Sequence, residues 1–274
     1  MPHARSNWIK ILSITGVIIV VLAIGGYIGL QKLLPAIRGS HCEMTASGGT
    51  TQLDLEQSAN AATIAGVAFR KGLSERAVAI AYATALQESK LYNLSYGDRD
   101  SVGLFQQRPS QGWGSRKQLQ DPVYASKRFF HSLSKVRDYL DMPLAEAAQK
   151  VQRSADGSAY AAHEEDAKIM AAAFTGREPH GVHCWYPDDG AARRSTAHEL
   201  RRTFGGKLHV SGSRVTASGP RVAWAVAAWA VAHAHAYGLT SVAHDGRAWT
   251  ADDGYSGWTD SDDAPTNRTY VEIK

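Results

Sequence analysis

A glutamate at the end of a predicted helix has the setting of a general acid. Ala77 and Ala81 precede Glu88 at helical spacing, so a stripe of small residues leads to its carboxyl group. The stripe should place Glu88 at the edge of the core. A partly desolvated carboxyl group holds its proton to higher pH and can then donate it to a substrate. The alternatives are a solvated glutamate on the last turn, or one paired with Lys90 or Arg99.

The segment after this helix supplies further polar groups. Residues 91–101 are rich in turn formers and include the carboxylates Asp98 and Asp100. Gln106 and Gln107 follow in a Gly-Leu-Phe-Gln-Gln sequence that is too short for a helix and predicts a strand or an extended turn. Neutral amides of this kind suit a substrate that carries hydroxyl and acetamide groups.

Trp113 is a candidate platform on which a sugar ring could stack, because it stands between Gly112 and Gly114. A lone tryptophan is more commonly a lid over the core, since a large ring covers apolar surface wherever it lies. Both interpretations are kept.

Two short segments together carry a family resemblance. Glu88-Ser89 lies at a helix end, and Gly103-Leu104-Phe105-Gln106 follows in the next turn. This pattern resembles the signature of the lysozyme-like superfamily, closest to bacterial lytic transglycosylases and goose-type lysozymes, over roughly residues 58–176. The longer string GLFQQRPSQGWG, the pair Asp121-Pro122 and residues 148–154 resemble membrane-anchored or secreted cell-wall proteins of high-GC Gram-positive bacteria.

The resemblance implies peptidoglycan as the substrate and a role for each matching residue. Glu88 would protonate the glycosidic oxygen, Ser89 would support its loop, and Gln106 would hydrogen-bond the sugar. A transglycosylase then uses the same carboxylate as a base on the sugar's own 6-hydroxyl. An inverting hydrolase needs a second carboxylate ~6.5–9.5 Å away, for which Asp98 and Asp100 are available.

The sequence departs from the transglycosylase pattern downstream. The usual Ala-Tyr-Asn-Ala-Gly is not present, and Tyr160, in Ser-Ala-Tyr-Ala-Ala, is the candidate for its tyrosine. Transglycosylase and hydrolase therefore both remain open. So does a function of another class, in which a lysozyme-like protein without turnover binds the cell wall or shapes it.

Two cysteines predict a disulfide. Cys42 and Cys184 lie near the two ends of the candidate domain, and an even pair in this arrangement is typical of proteins in oxidising compartments. The alternatives are two buried thiols, or a metal site in a cytoplasmic-facing protein that uses the nearby His41, His180 and His183. The Cys and His spacing matches no standard zinc motif, so neither a metal nor a cofactor is predicted.

An apolar run near the N-terminus predicts a membrane anchor. Residues 11–30 contain no charge and are long enough to cross a bilayer. The expected arrangement is a cytoplasmic tail at 1–10, a single lipid-embedded span, a stalk at 31–41, and residues 31–274 outside the cytoplasm. The alternatives are a cleaved signal peptide or a buried core helix.

The expected fold class is an α-rich α+β protein with three structured parts. The transmembrane helix comes first, and a mostly helical lysozyme-like domain with a short hairpin at its start follows at 42–185. A linker at 186–207 then leads to a small α+β domain at 208–274, which resembles a module of secreted proteins from the same bacteria. A strong hairpin signal, Asp245-Gly246, lies in that last part.

Charge limits the choice of partners. The formal net charge is +4, and no block of lysine and arginine concentrates it in the sequence. Binding to nucleic acid is therefore not predicted. A loose attraction to anionic wall polymers or lipid head groups is compatible with this charge.

Overall fold

A computed structural model describes residues 20–27, 29, 39–153, 158–187 and 195–274. About half of the structure is helical, and 17% is in strands that form two sheets. The chain divides into two units, Met1–Gly39 and Ser40–Lys274. In the first unit, residues 20–27 are helical.

The predicted transmembrane helix at 11–30 is contradicted. Much of that segment lies outside the described residues. Across the described ranges, no helix combines the length and the apolar character needed to cross a bilayer. The single-pass membrane location predicted from the anchor, with residues 31–274 outside, is contradicted for the same reason.

The second unit is largely helical. In chain order they are α1 (Leu55–Lys71), α2 (Glu75–Ser89), α3 (Arg116–Leu119), α4 (Pro122–Leu133), α5 (Leu144–Gln152), α6 (Ser158–Ala161), α7 (Glu164–Phe174), α8 (Thr196–Phe204) and α9 (Pro220–Tyr237). Helix α1 begins at a capping box of Asp54 and Gln57 and ends at Gly72, whose φ of 68° suits glycine. Helix α2 packs against α7, and α1 packs against α4 and α9.

The strands form two antiparallel sheets. They are β1 (His41–Ala46), β2 (Gly49–Leu53), β3 (Val182–Trp185), β4 (Leu208–Ser211), β5 (Arg214–Ala217), β6 (Ser241–His244), β7 (Arg247–Thr250), β8 (Thr259–Asp260) and β9 (Tyr270–Ile273). The small sheet has the order β2-β1-β3, and the large sheet has the order β4-β5-β9-β6-β7-β8. The β1–β2 hairpin matches the one that the sequence predicts.

The expected separate α+β domain at 208–274 is also contradicted, because its helix belongs to a core shared with the helical part. Helix α9 lies along α1, and Trp229 is fully buried. His233 on α9 lies 3.4 Å from the hydroxyl of Thr63 on α1. The reason is the composition of α9, which is apolar on every face. Such a helix is stable only where it is covered on every face.

Two tryptophans from the region of the large sheet also bond to the edge of the small sheet. The indole Nε1 of Trp249 donates to the carbonyl of Cys184 over 3.1 Å, and that of Trp258 donates to the carbonyl of Val182 over 2.8 Å. Both carbonyls lie on β3, which is an edge strand. An unpaired edge carbonyl buried without a donor would be costly. The two indoles therefore stabilise β3 in place of a fourth strand.

The region predicted as a linker is partly helical. Residues 188–194 lie outside the described residues, whereas α8 packs closely on α1. A Cβ atom added at Gly66 would lie 2.3 Å from Thr203 Cγ2, so the two helices approach at a point that only glycine permits.

Candidate active site

The central contact of the site joins Glu88 to Tyr160. Glu88 is half-buried in the last turn of α2. The hydroxyl of Tyr160, on α6, donates a hydrogen bond to Glu88 Oε1 over 2.7 Å, and the tyrosine side chain is only 2% exposed. Arg99 lies 3.9 Å from Asp98 instead, and the ion pairs of the described residues join neither Arg99 nor Lys90 to Glu88.

A second contact beside the first holds the same two segments together. Gln87, next to Glu88, lies 3.1 Å through Oε1 from His163 Nε2. The amide of His163 in turn donates to the carbonyl of Tyr160 over 3.2 Å. Burial lowers the pKa of His163, with a smaller contribution from Lys90. The imidazole is therefore neutral at neutral pH, and its Nε2 can donate to the amide oxygen of Gln87.

Ser89 connects the helix end to the turn that follows. Its hydroxyl is 2.7 Å from the carbonyl of Leu104 and 3.1 Å from that of Ala85, and its side chain is buried. The turn containing Leu104 is thereby held next to Glu88. This geometry is compatible with the supporting role predicted for Ser89.

The amide of Gln106 is bonded within its own loop. Its Oε1 accepts from the hydroxyl of Ser101 over 2.9 Å, and its Nε2 donates to the carbonyls of Gly103 and Tyr96 over 3.2 and 3.3 Å. A Cβ atom at Gly97 would lie 1.7 Å from Gln106 Oε1, so this packing requires glycine there. Gln106 thus shapes the loop, and a sugar would have to compete with these bonds.

Gln107 lies inside the protein. Its side chain is 2% exposed, and its Nε2 donates to the carbonyl of Ala125 over 3.3 Å. Its backbone pairs with Val102 in an isolated bridge. The structure therefore places Gln107 away from a surface on which a substrate could bind, in contrast to the predicted role.

The two aspartates differ in their surroundings. Asp100 accepts hydrogen bonds from Arg108 Nε at 2.8 Å, from the amide of Ser110 at 2.7 Å and from its hydroxyl at 2.9 Å. These bonds, Arg108 first, hold the pKa of Asp100 far below its usual range. The side chain of Asp98 is 90% exposed. Asp100 therefore closes the loop, and Asp98 lies in solvent.

Trp113 is partly buried and packs on the core. Its carbonyl accepts from Arg128 Nε over 2.9 Å and from the hydroxyl of Tyr124 over 3.4 Å. These contacts fit the lid over the core better than the sugar platform.

An aromatic residue that the sequence reasoning passed over has the exposure expected of a platform. Tyr96 is 69% exposed, and it lies on the same loop as Asp98. Its carbonyl accepts from Gln106, so the loop that carries the ring is anchored near the site. Its position beside Gly97 in a polar turn was the available signal.

The predicted disulfide is confirmed. Cys42 and Cys184 are bonded and face one another across β1 and β3. This bond excludes the two cysteines as metal ligands. In the part of the chain that the structure describes, no group of three or more His, Cys, Asp or Glu side chains is arranged to hold a metal ion.

The structure thus brings some of the predicted residues together and separates others. Glu88 and Tyr160 are in contact, and Ser89 and Gln106 belong to the adjoining turn, whereas Gln107 is internal. No family model matches the chain, and no curated protein sequence matches it significantly. The interpretation of the site therefore depends on its geometry and on the residues themselves.

Proposed function

We propose that the protein cleaves glycosidic bonds in the glycan strands of peptidoglycan, with Glu88 as the general acid. The observation that carries the proposal is the 2.7 Å hydrogen bond from Tyr160 to Glu88, next to a turn that Ser89 holds in place. The substrate class, peptidoglycan, is inferred from the lysozyme-like pattern of Glu88-Ser89 with Gly103-Leu104-Phe105-Gln106.

The geometry suggests how the carboxyl group works. Glu88 Oε1 accepts from Tyr160, which leaves Oε2 to carry the acidic proton. Transfer of that proton to the glycosidic oxygen breaks the bond to the sugar's C1. The hydrogen bond from Tyr160 stabilises the resulting carboxylate. The carboxylate then takes the proton of the sugar's 6-hydroxyl as O6 attacks C1, which closes a 1,6-anhydro ring and restores the acid.

The surroundings of the aspartates favour this route over an inverting hydrolase. Activation of water by a second carboxylate requires a free base across the substrate. Asp100 is occupied by Arg108 and Ser110, and Asp98 is solvated. A mechanism that uses Glu88 alone needs neither of them.

A second candidate function is glycan binding without turnover. The observation in its favour is the amide of Gln106, which is bonded to Ser101, Gly103 and Tyr96. These bonds fix the shape of the turn and leave the amide of Gln106 without a role in catalysis. On this alternative, Glu88 and Tyr160 would stabilise the fold and release no product.

The experiment compares the full chain with Glu88→Gln on purified peptidoglycan, with released fragments read by mass spectrometry. Glu146→Gln is the matched control, since Glu146 pairs with Lys150 on α5. Anhydro ends from the parent and the control, but not from Glu88→Gln, are expected. Reducing ends would favour a hydrolase. Sedimentation with the wall and no fragments from any variant would favour binding alone.

A further inference from the structure

Basic side chains gather where the last turn of α1, the outer face of α4 and the last turn of α8 meet. Arg70 Nη1 donates to the carbonyls of Arg201 and Arg202 over 3.2 and 2.9 Å, which brings the ends of α1 and α8 together. Lys127 and His131 lie on one face of α4 at i and i+4. The basic surface comprises Arg70, Lys71, Lys127, Arg128, His131, Lys135, Arg201 and Arg202.

Part of this charge is offset within the protein. Arg202 pairs with Glu199 and Asp121. Arg128 donates to two backbone carbonyls of the segment 112–113, and Arg201 donates to that of Val210. These arginines hold the surface together, and their role is structural.

The remaining cations have no such counter-charge. Among the described residues, the ion pairs include none for Lys71, Lys127 or Lys135, although Asp121 acts on Lys127 from a greater distance. Lys71 lies in the last turn of α1, and α1 packs against α4, the helix that carries Lys127 and His131. The pKa of Lys127 is lowered by burial first and then by Arg70. Cations assembled in this way create a positive potential that favours an anionic ligand.

The residues of the surface also limit the kind of anion. Proteins that bind single-stranded nucleic acid interleave cations with aromatic rings on which bases stack. Helices that lie on membranes add Trp, Phe or Leu to a basic face. The exposed large apolar side chains of the described part of 40–274 are Tyr96, Leu140 and Tyr255, and none belongs to the basic surface. The surface thus offers positive charge without a strongly exposed ring, which favours a ligand recognised by its negative charge.

We propose that the basic surface binds a linear polymer of phosphate groups without aromatic bases, through Lys71, Lys127 and Lys135. Ammonium groups bind phosphate as point charges, and successive phosphates along a chain can pair with successive lysines. The proposal is independent of glycan cleavage, because none of the three lysines contributes to the contacts of Glu88.

The test uses the full chain and fluorescent inorganic polyphosphate, titrated at several salt concentrations. We expect Lys71→Gln/Lys127→Gln/Lys135→Gln to bind about tenfold more weakly, and the slope of log K against log salt to fall by about 2. The charge-matched control is Lys150→Gln/Lys168→Gln/Lys274→Gln, which removes lysines that pair with Glu146, Glu164 and Glu272. The control should bind as the parent does.

Lys127 is partly buried, so the exposed pair Lys71→Gln/Lys135→Gln provides a second variant that leaves the packing intact. This pair should show an intermediate loss. If the control variant lost as much affinity for polyphosphate, the effect would come from net charge alone, and the proposal would be overturned. Tighter binding of single-stranded DNA with the same number of phosphates would overturn it in favour of nucleic acid. Capture by anionic vesicles without binding of polyphosphate would overturn it in favour of a membrane.

Discussion

The hydroxyl of Tyr160 donates to Glu88 Oε1 over 2.7 Å, although 72 residues separate the two in the chain. Tyr160 approaches from α6, which packs against the end of α2. The buried ring cannot swing away from the carboxyl group without opening the core. The contact therefore orients Glu88, and the site can be tested by removing single atoms.

Removal of the Tyr160 hydroxyl should slow glycan cleavage while the fold persists. Tyr160→Phe keeps the buried ring and loses one hydrogen bond, which costs about 1 kcal/mol of stability. We expect the rate of formation of anhydro ends to fall by about tenfold to a hundredfold, because the carboxylate formed by proton transfer loses its donor. Tyr124→Phe, which removes the hydroxyl that donates to the carbonyl of Trp113, is the control. An unchanged rate would remove Tyr160 from the mechanism.

The two aspartates should respond differently to substitution by asparagine. Asp98→Asn should leave both cleavage and stability unchanged, because the side chain is in solvent. Asp100→Asn should loosen the loop. In the parent the Ser110 amide donates to the Asp100 carboxylate, so the variant should show faster hydrogen exchange of that amide. Because the folded pKa of Asp100 is lowered, its contribution is complete above the usual carboxyl pKa and is lost only in acid. Abolished cleavage in Asp98→Asn would instead indicate a second catalytic carboxylate.

His233 should make the shared core sensitive to acid. Its Nδ1 donates to the carbonyl of Trp229 over 2.9 Å, and burial lowers its pKa to about 4. The unfolded chain binds a proton near pH 6.5 and the folded chain does not. Stability is therefore complete above pH 6.5 and falls by up to about 3 kcal/mol as the pH drops to 4.

The measurement for His233 is denaturant unfolding between pH 4 and 7.5. His233→Gln should flatten the loss of stability in acid relative to the parent. His198→Gln, at an exposed position on α8, should leave the slope as it is. Other buried histidines also contribute, so the comparison is between slopes. Equal slopes in all three proteins would show that His233 is not the group responsible.

Loss of one indole donor should destabilise the small sheet. Trp258→Phe keeps an aromatic ring but leaves the carbonyl of Val182 without its donor. We expect a loss of about 1–3 kcal/mol in the free energy of unfolding, the usual penalty for a buried acceptor left unpaired. Trp113→Phe is the control. The hydrogen bonds from Arg128 and Tyr124 go to the backbone carbonyl of residue 113, which the substitution keeps. A loss equal to that of the control would mean that water replaces the indole.

Local patterns predicted much of the local structure. The Asp245-Gly246 pair forms its turn, the first hairpin forms, and Cys42 is bonded to Cys184. The stripe of small residues brings Glu88 to a half-buried position. Each of these features depends on neighbours in the sequence, or on a pairing that only two residues can make.

Features that depend on distant segments were not predictable in this way. The approach of α6 that brings Tyr160 to Glu88 depends on the packing of α2 against its neighbours. The interior position of Gln107 depends on α4, which supplies the carbonyl of Ala125. The composition of α9 did carry a signal for a shared core, since a helix that is apolar all round needs cover on all sides.

The two indoles that cap β3 also impose an order on synthesis. A ribosome synthesises β1, helices α1 to α7 and β3 well before it reaches Trp249 and Trp258. Until those residues emerge, the nascent chain exposes an open strand edge, and open edges recruit other strands. The face of α1 that α9 covers also stays exposed until α9 has emerged. The fold is therefore completed only after Trp249 and Trp258 have emerged, and a chain stalled or truncated before them would be a substrate for chaperones and proteases.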